Sequence, residues 1–556
     1  MRRTTEKGIT LIALVITIII LLILAGISIQ AITNTGLFEN AKEAKKQSEI
    51  ANIKEQIQLD IYSKQVESIG EITENDLKSI LEKYGTIIYE EDGKTLKGVK
   101  TEEGYEILVS EIYGGTISKD EGPTFTTVAN APDISGFNKS NTYYVSWDLT
   151  SSPYEINDST LISGTAPSNW YDYTAGVNHW ANVKTTGGGN DCYWVWIPRY
   201  AYKVPEKSST AQTIEIKFLD KTTNIPIGET EEITNTTPTP GTWVVHPAFT
   251  NAGNGGFGEL TGIWVAKYEA SSSRVDTINI ENGTLIGDTN SLNGNGGGAD
   301  TTLKVRVKPN VTSWREITVN NIFTVCQNLT LSGNSLEDTT NIDSHMMKNT
   351  EWGAVAYLSS SKYGKTDTSG NRVRVYDNPY YNNTTNYSPI TGLAGKTATQ
   401  ANNGTIENLY KYNTQEGVEA STTGNVYGIY DMAGGAWEYV AGYLSDVSPL
   451  ANYTLLASAD DKYKDKYVGT SDTDTVNYEL NKNKYGDAMY ETSTSGTGST
   501  SWDSDCSLFT VDSYPVFLHG GRALNNNIAG VFAFTRGTGD SYTYIGFRPC
   551  LVVTQL

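Results

Sequence analysis

The longest hydrophobic pattern of the chain is an apolar segment near its N-terminus. A charge-free run extends from Gly8 to Phe38, and its apolar part spans Ile9 to Ile29. That length suits a helix that crosses a bilayer, which needs about 20 residues. Arg2, Arg3 and Lys7 precede the run, and such a positive flank stays on the cytoplasmic side. The pattern predicts a single-pass protein of the cell membrane whose bulk is extracellular.

The residues that follow keep a helical period. Ile50, Ile53, Ile57 and Ile61 form one apolar stripe on an otherwise charged segment, which is typical of an amphipathic helix. This helix is expected to continue the membrane segment outward, so that 9–67 forms one long element.

A small α+β head is predicted over 68–118. It begins with a short helix for which Thr73 is a plausible N-cap, and two short strands follow around the turn Glu102–Gly104. A loop-like stretch, 119–142, is interpreted as a linker.

The remainder, 143–556, alternates short aromatic and β-branched runs with stretches rich in glycine, asparagine, threonine and serine. Apolar strands are predicted at 192–198 and 262–271, and helices within 307–329 and 346–364. A polar segment at about 445–505 is expected to be an exposed insertion. Few long helices are expected, so the whole chain is assigned to the α+β class with a large, irregular outer domain.

Composition narrows the function classes. The chain of 556 residues has 42 Lys+Arg against 63 Asp+Glu, a net charge of −21, so a nucleic-acid partner is not expected. Its 35 tyrosines outnumber its 12 phenylalanines. Tyrosine combines apolar area with a hydroxyl group and suits half-exposed binding surfaces.

The four cysteines and four histidines lie far apart in the sequence. No CxxC or HxxxH spacing is present, which argues against a zinc site. If the chain is exported, the sequence is compatible with one or two disulfides. Their pairing cannot be deduced from the cysteine spacing.

The N-terminus resembles a type IV prepilin leader, because Lys7 and Gly8 directly precede the apolar run. The resemblance implies cleavage between Gly8 and Ile9, a leader of residues 1–8, and pilin subunits as partners. The fifth residue of the mature chain would be Ala13, where this family usually has glutamate. An uncleaved membrane anchor is the alternative.

Six motifs in the outer region, taken in order, resemble the formylglycine-generating enzyme (sulfatase-modifying factor) family, which has a C-type-lectin-like fold. The resemblance spans about 190–553 and implies that fold for 143–556. The matching motifs are Trp196-Ile197-Pro198, Lys267-Tyr268-Glu269, Thr312-Ser313-Trp314, Glu351-Trp352, Tyr430–Gly434 with Trp437-Glu438, and Gly520-Gly521 with Gly546-Phe547-Arg548.

The catalytic residues of that family have no counterpart in this chain. Its enzymes use two thiolates, which bind Cu(I), a few residues after the last Gly-Gly. This chain has residues 522–527 there, without a cysteine, so no catalytic residue is assigned and the chain is not expected to be an enzyme. The family's calcium site has lost an asparagine, replaced by Gly435, and keeps Glu438. No cofactor is expected, although calcium stays open.

The last motif brackets a stretch rich in asparagine, glycine and tyrosine, which are residues of adaptable binding surfaces. It resembles the variable region of C-type-lectin-fold proteins that are diversified by retroelements. Gly520, Gly521, Gly546, Phe547 and Arg548, with Trp437 and Glu438, are expected to be its scaffold. The predicted ligand-binding residues are Leu524, Asn525, Asn526, Asn527, Phe532, Phe534, Thr538, Asp540, Tyr542 and Tyr544.

Three functional hypotheses follow. The favoured one is a surface-displayed, non-catalytic binding protein, adhesin-like, with an extracellular protein or glycan as ligand. The second is a structural minor pilin whose head caps or decorates a filament. The third is a formylglycine-generating oxidase, which the missing thiols make the weakest.

Overall fold

The computed structural model describes residues 15–25, 37–67, 72, 74–90, 96–114, 128–275, 279–281, 284–286, 296–382, 387–399 and 409–554. Contacts divide the chain into two compact units, Met1–Gly122 and Pro123–Leu556. Both contain helices and strands, so the mixed α+β class is confirmed.

At the N-terminus, residues 15–25 are helical and their side chains are exposed. Within the described ranges, no helix combines the length and the apolarity that crossing a membrane requires. Gly8, Ile9 and Ala13 lie outside the described residues, so leader cleavage and the anchor stay predictions.

The remainder of unit 1 consists of helices packed on a small sheet. The helices are α1 Leu37–Glu67, α2 Glu74–Leu81 and α3 Val109–Ile112. The strands are β1 Thr86–Tyr89, β2 Leu96–Lys100 and β3 Glu106–Leu108, paired antiparallel in that order.

The apolar stripe of α1 explains why this helix packs on the head. Ile57 and Ile61 are buried against α2 and β2, in a cluster that includes Leu77, Leu81 and Val99. The predicted turn between two strands is present, with β2 and β3 on either side of it. Strand β1 was not predicted, and Thr73 lies outside the described residues.

The boundary between the units, at Gly122 and Pro123, falls within the predicted linker at 119–142, but the second half of that segment does not behave as a linker. Residues from 128 onward belong to the packed part of unit 2. Phe137 meets the Trp264 ring edge-on at 5.5 Å, and the Asn130 side chain donates hydrogen bonds to the carbonyl oxygens of Lys221 and Thr261. These long-range contacts could not be seen in the loop-like composition of the segment.

Unit 2 is built from many short strands. They are β4 Thr142–Asp148, β5 Glu155–Asn157, β6 Asn182–Thr185, β7 Cys192–Pro198, β8 Tyr200–Lys203, β9 Ile216–Phe218, β10 Trp243–Val245, β11 Gly262–Ala266, β12 Ser271–Ser272, β13 Asn279–Glu281, β14 Thr284–Ile286, β15 Val305–Arg306, β16 Ile342–Met346, β17 Tyr380–Asn382, β18 Tyr387–Pro389, β19 Leu393–Ala394, β20 Tyr410–Lys411, β21 Trp437–Leu444, β22 Asp465–Tyr467, β23 Val516–His519, β24 Phe534–Gly537, β25 Ile545–Phe547 and β26 Pro549–Val553.

Two larger sheets organise these strands. The seven-stranded sheet has the order β16-β26-β11-β7-β6-β4-β5, and its neighbours pair antiparallel. The five-stranded sheet has the order β22-β21-β23-β24, and β25 pairs with β21. Strands β7, β11, β21 and β26 are buried nearly throughout, because both faces of each strand are covered. This explains their continuous apolar runs.

Four helices complete unit 2: α4 Val319–Gln327, α5 Asn349–Ser359, α6 Thr454–Ser458 and α7 Asp474–Leu480. Helix α4 is amphipathic and buries Ile322 and Val325, as predicted, and the Thr318 hydroxyl caps it by accepting from the Asn321 N–H. Helix α5 is buried on all sides, which agrees with its nearly charge-free sequence.

The segment at about 445–505 is not an exposed insertion, contrary to the prediction. It contains α6, β22 and α7, and Tyr467, Tyr478 and Trp502 have at most 1% of their surface exposed. These three aromatic side chains are separated by polar residues, and they pack the segment onto the main core. Because the average hydrophobicity of the segment is low, its burial was not predicted.

Candidate ligand-binding site

A tight turn begins the candidate site. After β23, Gly520 and Gly521 adopt left-handed backbone conformations, with φ of 87° and 76°. A Cβ at position 521 would lie 2.5 Å from the Ala529 Cα, so only glycine fits there. The turn leads into the 3-10 segment Ala523–Ile528, where the Asn525 side-chain oxygen accepts a hydrogen bond from the Arg522 N–H at 2.9 Å.

The predicted ligand-binding residues divide into three groups by exposure. Asn526, Asn527 and Asp540 are exposed. A half-buried group consists of Leu524, Asn525, Thr538, Tyr542 and Tyr544. The third group, Phe532 and Phe534, is wholly buried, and the prediction that these two side chains contact a ligand is therefore wrong.

The burial of the two phenylalanines has a clear cause. The Phe532 ring packs on Trp502 with centroids 4.9 Å apart. Phe534 lies in β24, where it pairs with His519 of β23. Both rings support the turn from beneath, so they belong to the scaffold of the face.

Two of the predicted tyrosines form a short aromatic stack. The rings of Tyr542 and Tyr544 are 5.5 Å apart with an interplanar angle of 28°. The guanidinium of Arg522 lies 4.4 Å from the centroid of the Tyr544 ring, within cation–π range. We define the stacked face as Arg522, Tyr542 and Tyr544. Arg522 was not among the predicted ligand-binding residues.

The backbone beneath the stacked face is held by four donors from elsewhere in unit 2. The Glu316 N–H donates to the Tyr542 carbonyl and the Trp437 N–H to the Tyr544 carbonyl, both at 3.0 Å. Two side chains add to these bonds. Tyr439 donates to the Asp540 carbonyl at 3.0 Å, and the Arg315 guanidinium donates to the Thr543 carbonyl. The loop that carries the tyrosines is therefore preorganised rather than free.

The predicted scaffold arginine has the most constrained side chain of the region. Arg548 is wholly buried and binds both carboxylate oxygens of Glu438, at 2.7 and 3.0 Å. It also donates to the carbonyl oxygens of Ala266 and Tyr430. Burial opposes its charge, but Glu438 raises the pKa of Arg548 above the usual value. The pair joins the residue between β25 and β26 to β11 and β21, which explains the Trp-Glu and Gly-Phe-Arg motifs.

Glu269 of the Lys-Tyr-Glu motif joins two further motifs in the core. Its carboxylate accepts from the Ser313 hydroxyl and, at 2.9 Å, from the Ala436 N–H. Asp431 accepts from the Asn378 amide at 2.7 Å and from the Glu269 N–H at 3.2 Å. Burial and the charge of Asp431 raise the pKa of Glu269 well above its usual value. The motif residues thus form a buried polar network that supports the fold, and they are not exposed to substrate.

The calcium alternative does not fit this geometry. Both oxygens of Glu438 are bound to Arg548, and a calcium ion needs six or more oxygen ligands. Position 435 offers no side chain, and a Cβ there would lie 2.5 Å from the Glu269 Oε1. The structure therefore does not support a calcium site at Gly435 and Glu438.

The four cysteines lie in the hydrophobic core. Cys192, Cys326, Cys506 and Cys550 are free and buried. Burial raises the pKa of Cys192 and Cys506 to about 12, and that of the other two well above the usual value. Such thiols are poor nucleophiles.

One cluster has metal-ligand residue types. His345, Glu351 and Cys550 bring potential ligand atoms within 4.8 Å of one another. The ring nitrogens of His345 are, however, hydrogen-bonded to Glu351 at 2.9 Å and to Asp343 at 3.1 Å. Burial would lower the pKa of His345, but these carboxylates raise it to about 9. The cluster is better described as a buried ion network than as a metal site.

Arg374, which sequence reasoning missed, holds the exposed turn to the rest of unit 2. Its guanidinium donates to the carbonyl oxygens of Ala529 and Asp503, and lies 3.2 Å from the Asp505 carboxylate. Asp505 in turn accepts from the Phe532 N–H at 3.0 Å. Because these partners are separated by many residues, no local motif could have identified the arginine.

Three cavities in unit 2 have volumes of about 530, 530 and 470 Å³. The first lies beside β9 and Trp243, the second beside Asp465 and Asp487, and the third beside Trp147 and His179. None of these three cavities is lined by residues 522–544.

No protein-family model and no curated protein match the chain. Among solved structures, PvdO from Pseudomonas aeruginosa is 10% identical, with 65% of this chain and 95% of that chain covered and a TM-score of 0.25. Treponema denticola variable protein 1 is 10% identical, with 66% and 97% covered and a TM-score of 0.23. At these TM-scores neither likeness carries an argument about fold or function.

Proposed function

We propose that this chain is a surface-displayed, non-catalytic binding protein, whose unit 2 has a C-type-lectin-like fold and presents residues 522–544 to an extracellular ligand. The observation that carries the proposal is the stacked face, where half-buried tyrosines and an arginine are joined by ring contacts, and the exposed residues Asn526 and Asn527 follow Arg522 in the same turn. Aromatic and arginine side chains on a preorganised loop are the usual anchors of binding surfaces.

The contrast between the face and its support strengthens the proposal. The side chains of Asn526 and Asn527 are exposed, while the scaffold residues Gly546, Phe547 and Arg548 are buried. Exposed side chains on a fixed backbone can be exchanged with little effect on the fold. This arrangement is compatible with a binding surface whose residues vary, as the resemblance to retroelement-diversified proteins implies.

The chemistry of the face supports the non-catalytic part of the proposal. Residues 522–527 contain no thiol, and the cysteines of the chain are buried with raised pKa values. Copper-dependent oxidation would need accessible thiolates at this place. Binding by stacking and hydrogen bonds needs no such group.

In this proposal the N-terminal part of the chain holds unit 2 at the cell surface. We propose that residues 9–67 anchor the chain in the membrane or assemble it with pilin subunits, with leader cleavage after Gly8. The amphipathic helix α1, whose stripe packs on a small three-stranded sheet, is the observation that favours a pilin-like unit.

The test is binding of the full-length chain, in mild detergent, to an array of immobilised glycans and peptides. A triple variant, Asn526→Ala, Tyr542→Ala and Tyr544→Ala, should lose about tenfold or more of the signal, since interface anchors each contribute about 1 kcal/mol or more. The control is Tyr514→Ala, an exposed tyrosine at the opposite end of β23. An unchanged signal in the triple variant would refute the assignment of the face.

The second candidate, a structural minor pilin, rests on the same unit 1 geometry. It predicts that the chain is sheared from cells together with filaments, whereas an anchored adhesin stays with the membrane fraction. Shearing followed by immunoblotting of both fractions separates the two.

A further inference from the structure

The stacked face contains a cation for which the described residues supply no hydrogen-bonding oxygen. Every other arginine of unit 2 has its guanidinium hydrogen-bonded or ion-paired to protein oxygens: Arg199, Arg274, Arg306, Arg315, Arg372, Arg374, Arg536 and Arg548. Arg522 differs from these eight arginines. Among the described residues its side chain has no hydrogen bond or ion pair, and its one ring contact is with Tyr544.

This difference points to a partner outside the chain. The protein has an excess of acidic residues, 63 against 42 basic ones, so oxygen acceptors are abundant on its surface. An arginine that has no oxygen partner among the described residues, and whose guanidinium lies against an aromatic ring, has donors left for a ligand. The planar fork of these donors matches a carboxylate, which it can bind through two parallel hydrogen bonds.

The surroundings of Arg522 limit what carries the carboxylate. Tyr542 and Tyr544 offer flat rings, on which the apolar face of a sugar can stack. Asn526 and Asn527 are exposed, and their amides can both donate to and accept from hydroxyl groups. None of the three cavities described above is lined by residues of the stacked face.

We infer that the stacked face recognises an acidic sugar, with Arg522 bound to its carboxylate and a tyrosine ring packed against its apolar side. The inference rests on the proposed function and specifies the ligand class of the same site. It also assigns to Arg522 the contact that separates acidic from neutral sugars.

The experiment compares two probes that differ in one group. A disaccharide ending in glucuronic acid, and the same disaccharide with its carboxyl group reduced to the alcohol, are titrated into the full-length chain by calorimetry or NMR. The acidic disaccharide should bind about tenfold more tightly or better, as expected for one charge-assisted contact.

Three variants assign the effect to residues. Arg522→Gln should remove the preference for the acidic probe, and Arg522→Lys should restore only part of it, because lysine keeps the charge without the planar fork. The matched control is Arg274→Gln, an exposed arginine already paired with Asp300, which should behave as the unaltered chain. Urea unfolding midpoints are measured for each variant, so that a loss of folding is separated from a loss of binding.

The outcomes distinguish the inference from the function on which it rests. Equal affinity for the two sugars, or an unchanged preference in Arg522→Gln, overturns the role of Arg522. Tighter binding of a glutamate-terminated peptide than of the acidic sugar overturns the ligand class. If neither sugar binds while the array still gives a signal that needs Tyr542 and Tyr544, the acidic-sugar inference falls and the binding function stands. Loss of both signals refutes both.

Discussion

A buried carboxyl group in unit 2 is expected to make the stability of the protein depend on pH. Glu491 accepts hydrogen bonds from the hydroxyls of Tyr202 and Tyr357 and from the Gly486 N–H, at 2.6, 2.5 and 2.6 Å. Burial raises its pKa from 4.5 to about 7, against the opposing effect of these bonds and with a further upward contribution from Asp487.

The direction of the effect follows from linkage. A carboxyl group whose pKa is raised in the folded state binds its proton more tightly when folded, so it favours folding at low pH. That contribution is complete below pH 4.5 and is lost as the pH rises to about 7. A shift of this size corresponds to about 3 kcal/mol, at about 1.4 kcal/mol for each pKa unit.

The perturbation that isolates this effect is Glu491→Gln, which removes the titrating group and keeps its size. Urea unfolding of both proteins is followed at several values between about pH 4.5 and pH 8. The difference in free energy of unfolding, unaltered chain minus variant, should fall by about 3 kcal/mol across that range. Other titrating groups cancel in the difference if their surroundings are unchanged.

The matched control is Glu479→Gln, at a glutamate with 58% of its side chain exposed, measured over the same pH range. If the Glu491→Gln difference is constant with pH, the Glu491 carboxyl group does not change its pKa on folding, and the reasoning from burial is refuted.

Three further predictions test the scaffold, the face and the thiols. Glu438→Gln leaves the charge of Arg548 buried without a carboxylate, and urea unfolding should show a loss of about 3–5 kcal/mol; a loss under about 1 kcal/mol would contradict a structural role for the pair. Phe532→Ala should lose about 3–5 kcal/mol of stability, whereas Tyr542→Ala should lose under about 1 kcal/mol and weaken binding on the array; the reverse order would show that the face is misassigned. The cysteines should react with Ellman's reagent only after denaturation, because they are buried with raised pKa values; fast reaction of the folded chain would be inconsistent with that burial.

Part of the candidate site could be predicted from residue types. The Gly-Gly turn and the exposure of Asn526 and Asn527 agree with the residue types, because left-handed glycines and clustered amides are local signals. Ligand contact by the asparagines stays a prediction. Phe532 and Phe534 were misassigned, since a loop-like composition gives no information about which face an aromatic ring occupies. Arg522 was not predicted for a related reason: its contact with the Tyr544 ring spans 22 residues of sequence and is visible only in the structure.

The sequence by itself determined the elements with strong local periodicity and the order of the motifs. The isoleucine stripe of α1, the apolar strands β7 and β11 and the amphipathic helix α4 agree with prediction, because a side-chain period of 3.6 or a continuous apolar run is recorded in neighbouring residues. The resemblance of the six motifs to a known family used the same kind of local information.

Only the tertiary structure decided what those motifs do. Glu269 meets Ser313 and Ala436, Arg548 meets Glu438, and Arg374 meets the Ala529 carbonyl, in each case across a long separation in sequence. Such contacts depend on how the sheets bring distant segments together, and they are not encoded in any short window. The same folding buries the motif acids in a framework and leaves Arg522 and the two tyrosines half-exposed.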